Sequence, residues 1–110
     1  MLCIILLALK LIKCEISHNF FIFYMKCSVE ISMYPLEKEY KDHIICFIKK
    51  LREYKNIEVI PNGMSTQVFG DYDNVIYIVV KEIKLAFKSK NKIVFNLKIV
   101  NSDLSIVEDF

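Results

Sequence analysis

The chain of 110 residues is poor in arginine, histidine and glycine, and each scarcity argues against a class of site. Its single arginine, Arg52, falls in a helical pattern, and no glycine-rich phosphate loop accompanies it, so acyl-phosphate hydrolysis is not favoured. Two histidines make a histidine-based metal centre or a nucleophile–histidine–acid triad hard to build. No run of like charge is longer than the pair Lys49 and Lys50, and this argues against nucleic-acid binding.

The four cysteines follow no metal-binding or redox spacing such as Cys-x-x-Cys. We therefore expect reduced, buried thiols at Cys3, Cys14, Cys27 and Cys46. A reactive cysteine is an alternative at Cys46, which lies one helical turn from His43. No metal and no cofactor is predicted.

Residues 1–24 contain no Gly, Pro, Asp, Arg, Thr, Val or Gln, unlike the rest of the chain. Their charge-free runs reach about half of the roughly 20 residues that a membrane span needs, and the features of a secretory signal are missing. We interpret this segment as an over-extended start, with translation beginning at Met25; an amphipathic helix or membrane anchor is the alternative. The predicted organisation is an extension (1–24), one domain (25–101) and a C-terminal tail (102–110).

Alternation of apolar and polar residues predicts a first strand that ends at Pro35, because proline cannot donate to the strand ladder. One face of this strand is expected to pack into the core, with Cys27, Val29, Ile31 and Met33. The other face is expected to be open, with Ser28, Glu30, Ser32 and Tyr34.

Two segments repeat apolar residues at intervals of three and four, as amphipathic helices do. The first runs from Tyr40 to Tyr54 and ends among basic residues, which suits the helix dipole. The second follows Asp71 and Asp73, both candidate N-caps, although its β-branched start would also suit a strand. Its predicted buried stripe is Ile76, Val79, Val80, Ile83 and Phe87, with Lys81, Glu82, Lys84 and Lys88 in solvent.

Both glycines of the chain fall in one stretch, at Gly63 and Gly70, where the backbone needs positive φ or a close approach. Asn62-Gly63 lies between the strand-like runs 57–61 and 64–69, which predicts a tight hairpin turn of the primed type. Two small hydroxyl residues, Ser65 and Thr66, then begin the returning strand, where they can hold a polar molecule. Alternation over 93–100 predicts a last strand.

The predicted order β-α-β-β-α-β is that of an α+β, ferredoxin-like domain. Its antiparallel sheet has the first and third strands in the centre and both helices on one face, with right-handed crossovers. The other face is left without a helix. We expect another copy of the chain or a ligand to cover that face, because it mixes apolar and polar groups.

Two motifs resemble the small single-domain thiamine-binding protein family, long catalogued as a domain of unknown function. They are Val-Glu-Ile-Ser-Met-Tyr-Pro-Leu at 29–36 and Asn-Gly-Met-Ser-Thr at 62–66, the latter followed by Gly70. The resemblance covers about residues 26–101. It implies a ferredoxin-like fold, a cytoplasmic homodimer or homotetramer, and non-catalytic binding of thiamine or its hydroxymethylpyrimidine portion in vitamin salvage or transport.

Thiamine joins an aminopyrimidine, with donors and acceptors along its edge, to a cationic thiazolium ring. A receptor needs polar groups for that edge and apolar or aromatic walls for the ring faces. The residues predicted to bind it are Glu30, Ser32, Tyr34, Met64, Ser65 and Thr66, with Phe69 as a further wall. Because side chains alternate along a strand, only one of Ser65 and Thr66 is expected to touch a ligand.

Each of these residues also has a structural explanation. Glu30 can pair with Lys98 across the first and last strands, and the hydroxyl of Ser32 can satisfy nearby backbone. The alternative function is therefore an oligomerisation or regulatory module of the same fold, without a ligand of its own. RNA binding is disfavoured because the aromatic motif that stacks bases is missing.

Overall fold

The computed structural model describes residues 24–89 and 91–106. The predictions made for the N-terminal extension, including those for Cys3 and Cys14, lie outside this part apart from Tyr24. No helix in the described part is both long enough and apolar enough for a membrane span.

Four strands and two helices follow one another in the predicted order. They are β1 (Lys26–Pro35), α1 (Tyr40–Arg52), β2 (Ile57–Pro61), β3 (Thr66–Asp71), α2 (Tyr72–Ala86) and β4 (Ile93–Val100). The sheet has the order β2-β3-β1-β4, and every neighbouring pair is antiparallel. The predicted ferredoxin-like α+β fold, with β1 and β3 in the centre, is thereby confirmed.

The core lies between the sheet and the two helices, because alternate residues of β1 face the helices. Its buried members are Cys27, Val29 and Ile31 from β1, Val68 from β3, Phe47 and Leu51 from α1, and Val75, Ile78 and Val79 from α2. Burial raises the pKa of the Cys27 thiol. The prediction of a buried thiol is wrong at Cys46, which precedes the buried Phe47 and is exposed.

The buried side of α2 differs from the predicted stripe. Of the predicted stripe, Val79 is buried and Ile76 and Ile83 pack against the core, but Val80 and Phe87 are 55% and 52% exposed. Val75, Ile78 and Glu82 are buried as well. The β-branched start of α2 is compatible with more than one stripe, and intervals of three and four from Val75 lead to Glu82. A charged residue assigned to solvent by its type thus lies inside.

The predicted hairpin joins β2 and β3, but its turn is not of the primed type. Such a turn needs positive φ at its central residues, and among the described residues only Gly70 has positive φ. Instead the Asn62 Oδ1 accepts the N–H groups of Met64 and Ser65, at 2.8 and 3.0 Å. The Asn62 N–H also donates to the Ser65 carbonyl at 2.9 Å, so a side-chain turn replaces the glycine turn.

The predicted close approach occurs at Gly70. A Cβ atom there would lie 3.1 Å from Cγ2 of Val75 and 3.3 Å from the Asn56 carbonyl oxygen. Gly63, by contrast, has open space around it. The glycine of β3 is therefore the one that packing requires.

Asp71 stands at the N-cap position of α2, yet its side chain does not cap the helix. The carboxylate instead lies 2.9 Å from the Lys26 Nζ at the start of β1. Hydrogen bonding and charge from Asp71 raise the pKa of Lys26. Asp73, the other candidate cap, lies within the first turn.

The sheet face without helices is the open face, and it carries the β1 residues that alternate with the core. The C-terminal segment covers one end of it: the Ser28 Oγ donates to the Ser102 carbonyl at 2.6 Å and accepts the Leu104 N–H at 2.8 Å. Ser28 and Phe69 are buried there, while Tyr34 is 52% exposed. The chain's own tail thus covers part of the face that the sequence predicts to be uncovered.

Candidate functional site

A cavity of about 90 Å³, here the hairpin cavity, lies where the loop between β2 and β3 meets α1. Residues 62–66 form its polar side, and apolar walls come from β1 and α1. The wall residues are Ile31, Met33, Ile44, Phe47 and Ile48. The cavity therefore combines hydroxyl, amide and backbone groups with an apolar floor, as small-molecule sites do.

Strand register places Thr66 in the hairpin cavity. Thr66 pairs with Ile31 across β1 and β3, and Ile31 faces the helices. Directly paired residues share a face, so Thr66 lies on the helix side, where it is 6% exposed. Ser65 is half-buried and Met64 is 91% exposed at the cavity rim. Three of the predicted binding residues are thus brought together.

The other three predicted residues lie on the open face. Glu30, Ser32 and Tyr34 alternate with core residues of β1 and so point away from the helices. The Glu30 Oε1 lies 3.6 Å from the Lys98 Nζ, which confirms the predicted cross-strand pair. The sheet itself separates these residues from Thr66, so one chain cannot direct all six side chains at one ligand.

A second cavity, of about 200 Å³, lies on the open face beneath the tail. Its lining includes Glu30, Lys98 and Leu104, together with Gln67 and Phe69. Phe69, predicted as a further wall for the ligand, lies on the face opposite Thr66 because side chains alternate along β3. Gln67 was not predicted as a lining residue, although its position one residue after Thr66 places it on the open face.

Cys46, the candidate reactive cysteine, is exposed, and His43 lies one helical turn before it on α1. The His43 Nε2 contacts the Glu37 Oε1, so the imidazole is engaged by a carboxylate. Within the described ranges, no three His, Cys, Asp or Glu residues are grouped so that they could hold a metal ion.

No family model matches the chain, and no curated protein matches it. Solved structures with a similar fold include a hypothetical protein from Methanocaldococcus jannascii, with a TM-score of 0.61 and 23% identity over 74% of this chain and 84% of that one. A "putative thiamine biosynthesis/salvage protein" from Thermotoga maritima gives a TM-score of 0.59 and 19% identity, over 67% and 81% of the two chains. A domain of unknown function, DUF77, from Bacillus cereus gives 0.57 and 12%, over 77% and 84%. At these identities the chain shares the fold of the three proteins.

Proposed function

We propose that the protein binds thiamine, or its hydroxymethylpyrimidine portion, in the hairpin cavity and catalyses no reaction. In this proposal it acts in the cytoplasm as a carrier in vitamin salvage or transport. The observation that carries the proposal is the grouping of Met64, Ser65 and Thr66 around one cavity with apolar walls. The same residues belong to the motif that resembles the thiamine-binding family.

The dimensions of the cavity favour one ring. An engineered cavity of about 150 Å³ holds benzene, and the hairpin cavity has about 90 Å³. A substituted pyrimidine is larger than benzene, so the rim must move outward to admit it, and two joined rings do not fit. Met64 is the side chain placed to make that shift, because it is 91% exposed and methionine is flexible.

The two ends of the ligand suit different surroundings. The aminopyrimidine edge can exchange hydrogen bonds with the hydroxyls of Ser65 and Thr66, while Phe47 and Met33 contact its ring faces. The thiazolium ring is cationic, and burial of an unpaired charge is costly. We therefore expect the thiazolium to stay in solvent beyond Met64. The Thermotoga maritima protein, which has a similar fold, is described as a "putative thiamine biosynthesis/salvage protein", and that description supports a vitamin ligand.

Isothermal titration with thiamine and with hydroxymethylpyrimidine tests the proposal. Both should bind with one molecule per chain. Thr66→Val keeps the side-chain shape and strand preference but removes the hydroxyl, and loss of one hydrogen bond of about 1.4 kcal/mol weakens binding about tenfold.

Ser32→Ala is the matched control, because it removes a hydroxyl from the opposite face of the sheet. It should leave the affinity unchanged. Absence of heat with both ligands at high micromolar protein contradicts the proposal. Equal losses in the two variants contradict the placement of the ligand.

The open face supports a second candidate function, that of an oligomerisation module. Tyr34, Val94 and Ile60 are 52%, 50% and 41% exposed on that face, beyond the part that the tail covers. A second copy that covered them would remove apolar surface from water. Light scattering decides this: a dimer or tetramer whose mass is the same with and without ligand favours the module, and a monomer contradicts it.

A further inference from the structure

A buried carboxylate lies between the two helices and is only half satisfied. Glu82 on α2 is 5% exposed. The hydroxyl of Tyr54 donates to its Oε1 at 2.8 Å. Its Oε2 is also buried and has no hydrogen-bond partner among the described residues. Leaving such an acceptor unpaired is costly, so this oxygen is suited to a donor from outside the described residues.

A second unpaired polar atom lies at the same place. The Ser89 Oγ, just beyond the end of α2, is buried and has no partner within residues 24–89 and 91–106. Glu82 and Ser89 line one cavity of about 170 Å³ between α1, α2 and the start of β4, here the interhelical cavity. Two unsatisfied buried groups on one cavity are unusual in a protein interior, and they point to a shared occupant.

The rest of the lining defines the chemistry of that occupant. Apolar walls come from Met33, Phe47, Leu85, Ala86 and Ile93, whereas Lys50, His43 and Cys46 complete the lining from α1. His43 is engaged by Glu37. Lys50 forms no ion pair with a carboxylate of the described part. Within residues 24–89 and 91–106, the cavity therefore has one cation without an ion pair, one carboxylate with a free oxygen, and an apolar floor.

We propose that the interhelical cavity binds a small zwitterionic amino acid with an apolar side chain. Its ammonium group donates to the Glu82 Oε2 and the Ser89 Oγ, its carboxylate lies towards Lys50, and its side chain packs on the apolar walls. Separated charges of opposite sign in the lining match a ligand that is neutral overall and carries both charges. This site shares the walls Met33 and Phe47 with the hairpin cavity, but its polar groups line only the interhelical cavity, and it does not depend on the proposed vitamin ligand.

Size limits the amino acid to a small one. A water molecule takes about 30 Å³ in the liquid, and benzene fits an engineered cavity of about 150 Å³. The interhelical cavity, with about 170 Å³, therefore suits alanine or valine better than the larger aromatic amino acids. Such a ligand would also replace several water molecules that a polar cavity of this size would otherwise hold.

Isothermal titration of the full chain with L-valine and L-alanine tests the proposal. The two matched ligands for valine are 2-methylpropan-1-amine, which lacks the carboxylate, and 3-methylbutanoate, which lacks the ammonium group. We expect valine to bind and each control to bind at least tenfold more weakly.

Variants then locate the site. Glu82→Gln keeps the side-chain length and the acceptor for Tyr54 but removes the charge, and it should weaken valine binding at least tenfold. Ser89→Ala and Lys50→Gln should each weaken it severalfold, and they serve if Glu82→Gln does not fold, because Ser89 is only half-buried and Lys50 is exposed. Glu58→Gln, at an exposed position of β2, is the control that should leave binding unchanged.

Three results overturn the proposal. The first is no heat with either amino acid from the folded protein, which is the result expected of a cavity that holds only water. The second is binding of the amine as tight as that of valine, and the third is unchanged valine binding in all three cavity variants. Hydroxymethylpyrimidine is titrated separately, so failure at one cavity leaves the result at the other intact.

Discussion

Replacement of Ser28 by alanine should release the C-terminal segment from the open sheet face. The Ser28 Oγ is the shared partner of the Ser102 carbonyl, at 2.6 Å, and of the Leu104 N–H, at 2.8 Å. These two bonds span a separation of more than seventy residues in sequence. One hydroxyl group thus joins the first strand to the tail.

The expected loss follows from those two bonds. Each hydrogen bond contributes about 0.5 to 1.5 kcal/mol net, which sets the loss at roughly 1 to 3 kcal/mol. Leu104 is 56% exposed, so water can reach the released segment. We therefore expect a loss near the lower end, about 1 kcal/mol in the free energy of unfolding.

Two measurements check this prediction. Urea denaturation gives the change in the free energy of unfolding, and amide hydrogen exchange reports protection of the Leu104 N–H. Ser32→Ala is the control, since Ser32 lies on the same face of β1, four residues further on, and is half-buried. If Ser28→Ala matches the control in stability and leaves Leu104 equally protected, the tail is not held by this hydroxyl.

Two further predictions concern the helices. Leu51→Ala, at a fully buried position of α1, should lower the free energy of unfolding by about 3 kcal/mol. Ile45→Ala, at a 50% exposed position of the same helix, is the control and should change it by less than about 0.5 kcal/mol. Equal losses for the two variants in urea denaturation would refute the assignment of the core face of α1. Tyr54→Phe should destabilise the protein at neutral pH, because the hydrogen bond to Glu82 raises the pKa of Tyr54 above 10.0 and so favours the neutral phenol in the folded state. That contribution is fully present below pH 10 and is lost as the pH rises through the raised pKa. The difference in the free energy of unfolding between Tyr54→Phe and the wild type should therefore be constant between about pH 7 and 9 and shrink at higher pH. A difference that stays constant well above pH 10 would contradict this.

The fold could be predicted because two periodicities dominate the chain. Period two along β1 determines which residues reach the core, and the order of elements then leaves few topologies. The turn at Asn62 was mispredicted because a side-chain oxygen satisfies the loop amides, which the dipeptide Asn-Gly does not reveal. The path of the tail could not be predicted, since residues 101–106 show no regular alternation.

The sequence predicted only part of the grouping of residues in the candidate site, because it does not show how β1 and β3 align. Alternation shows that Ser65 and Thr66 point to opposite faces of the sheet. Which of the two lies on the same face as Glu30 depends on how β1 and β3 align. The observed pairing of Ile31 with Thr66 decides it, and a shift of one residue would have reversed the result. The burial of Glu82 was not predicted, because charged residues are seldom buried. Its position in the helical repeat, seven residues after the buried Val75, did indicate the core side of α2.

Chemical-shift mapping of the ¹⁵N-labelled protein with hydroxymethylpyrimidine tests the central claim most directly. The claim predicts that the largest changes fall on the amides of Ser65, Thr66 and Phe47, around the hairpin cavity. Changes concentrated at Ser32 and Tyr34 on the open face, or no changes with saturating ligand, would contradict it.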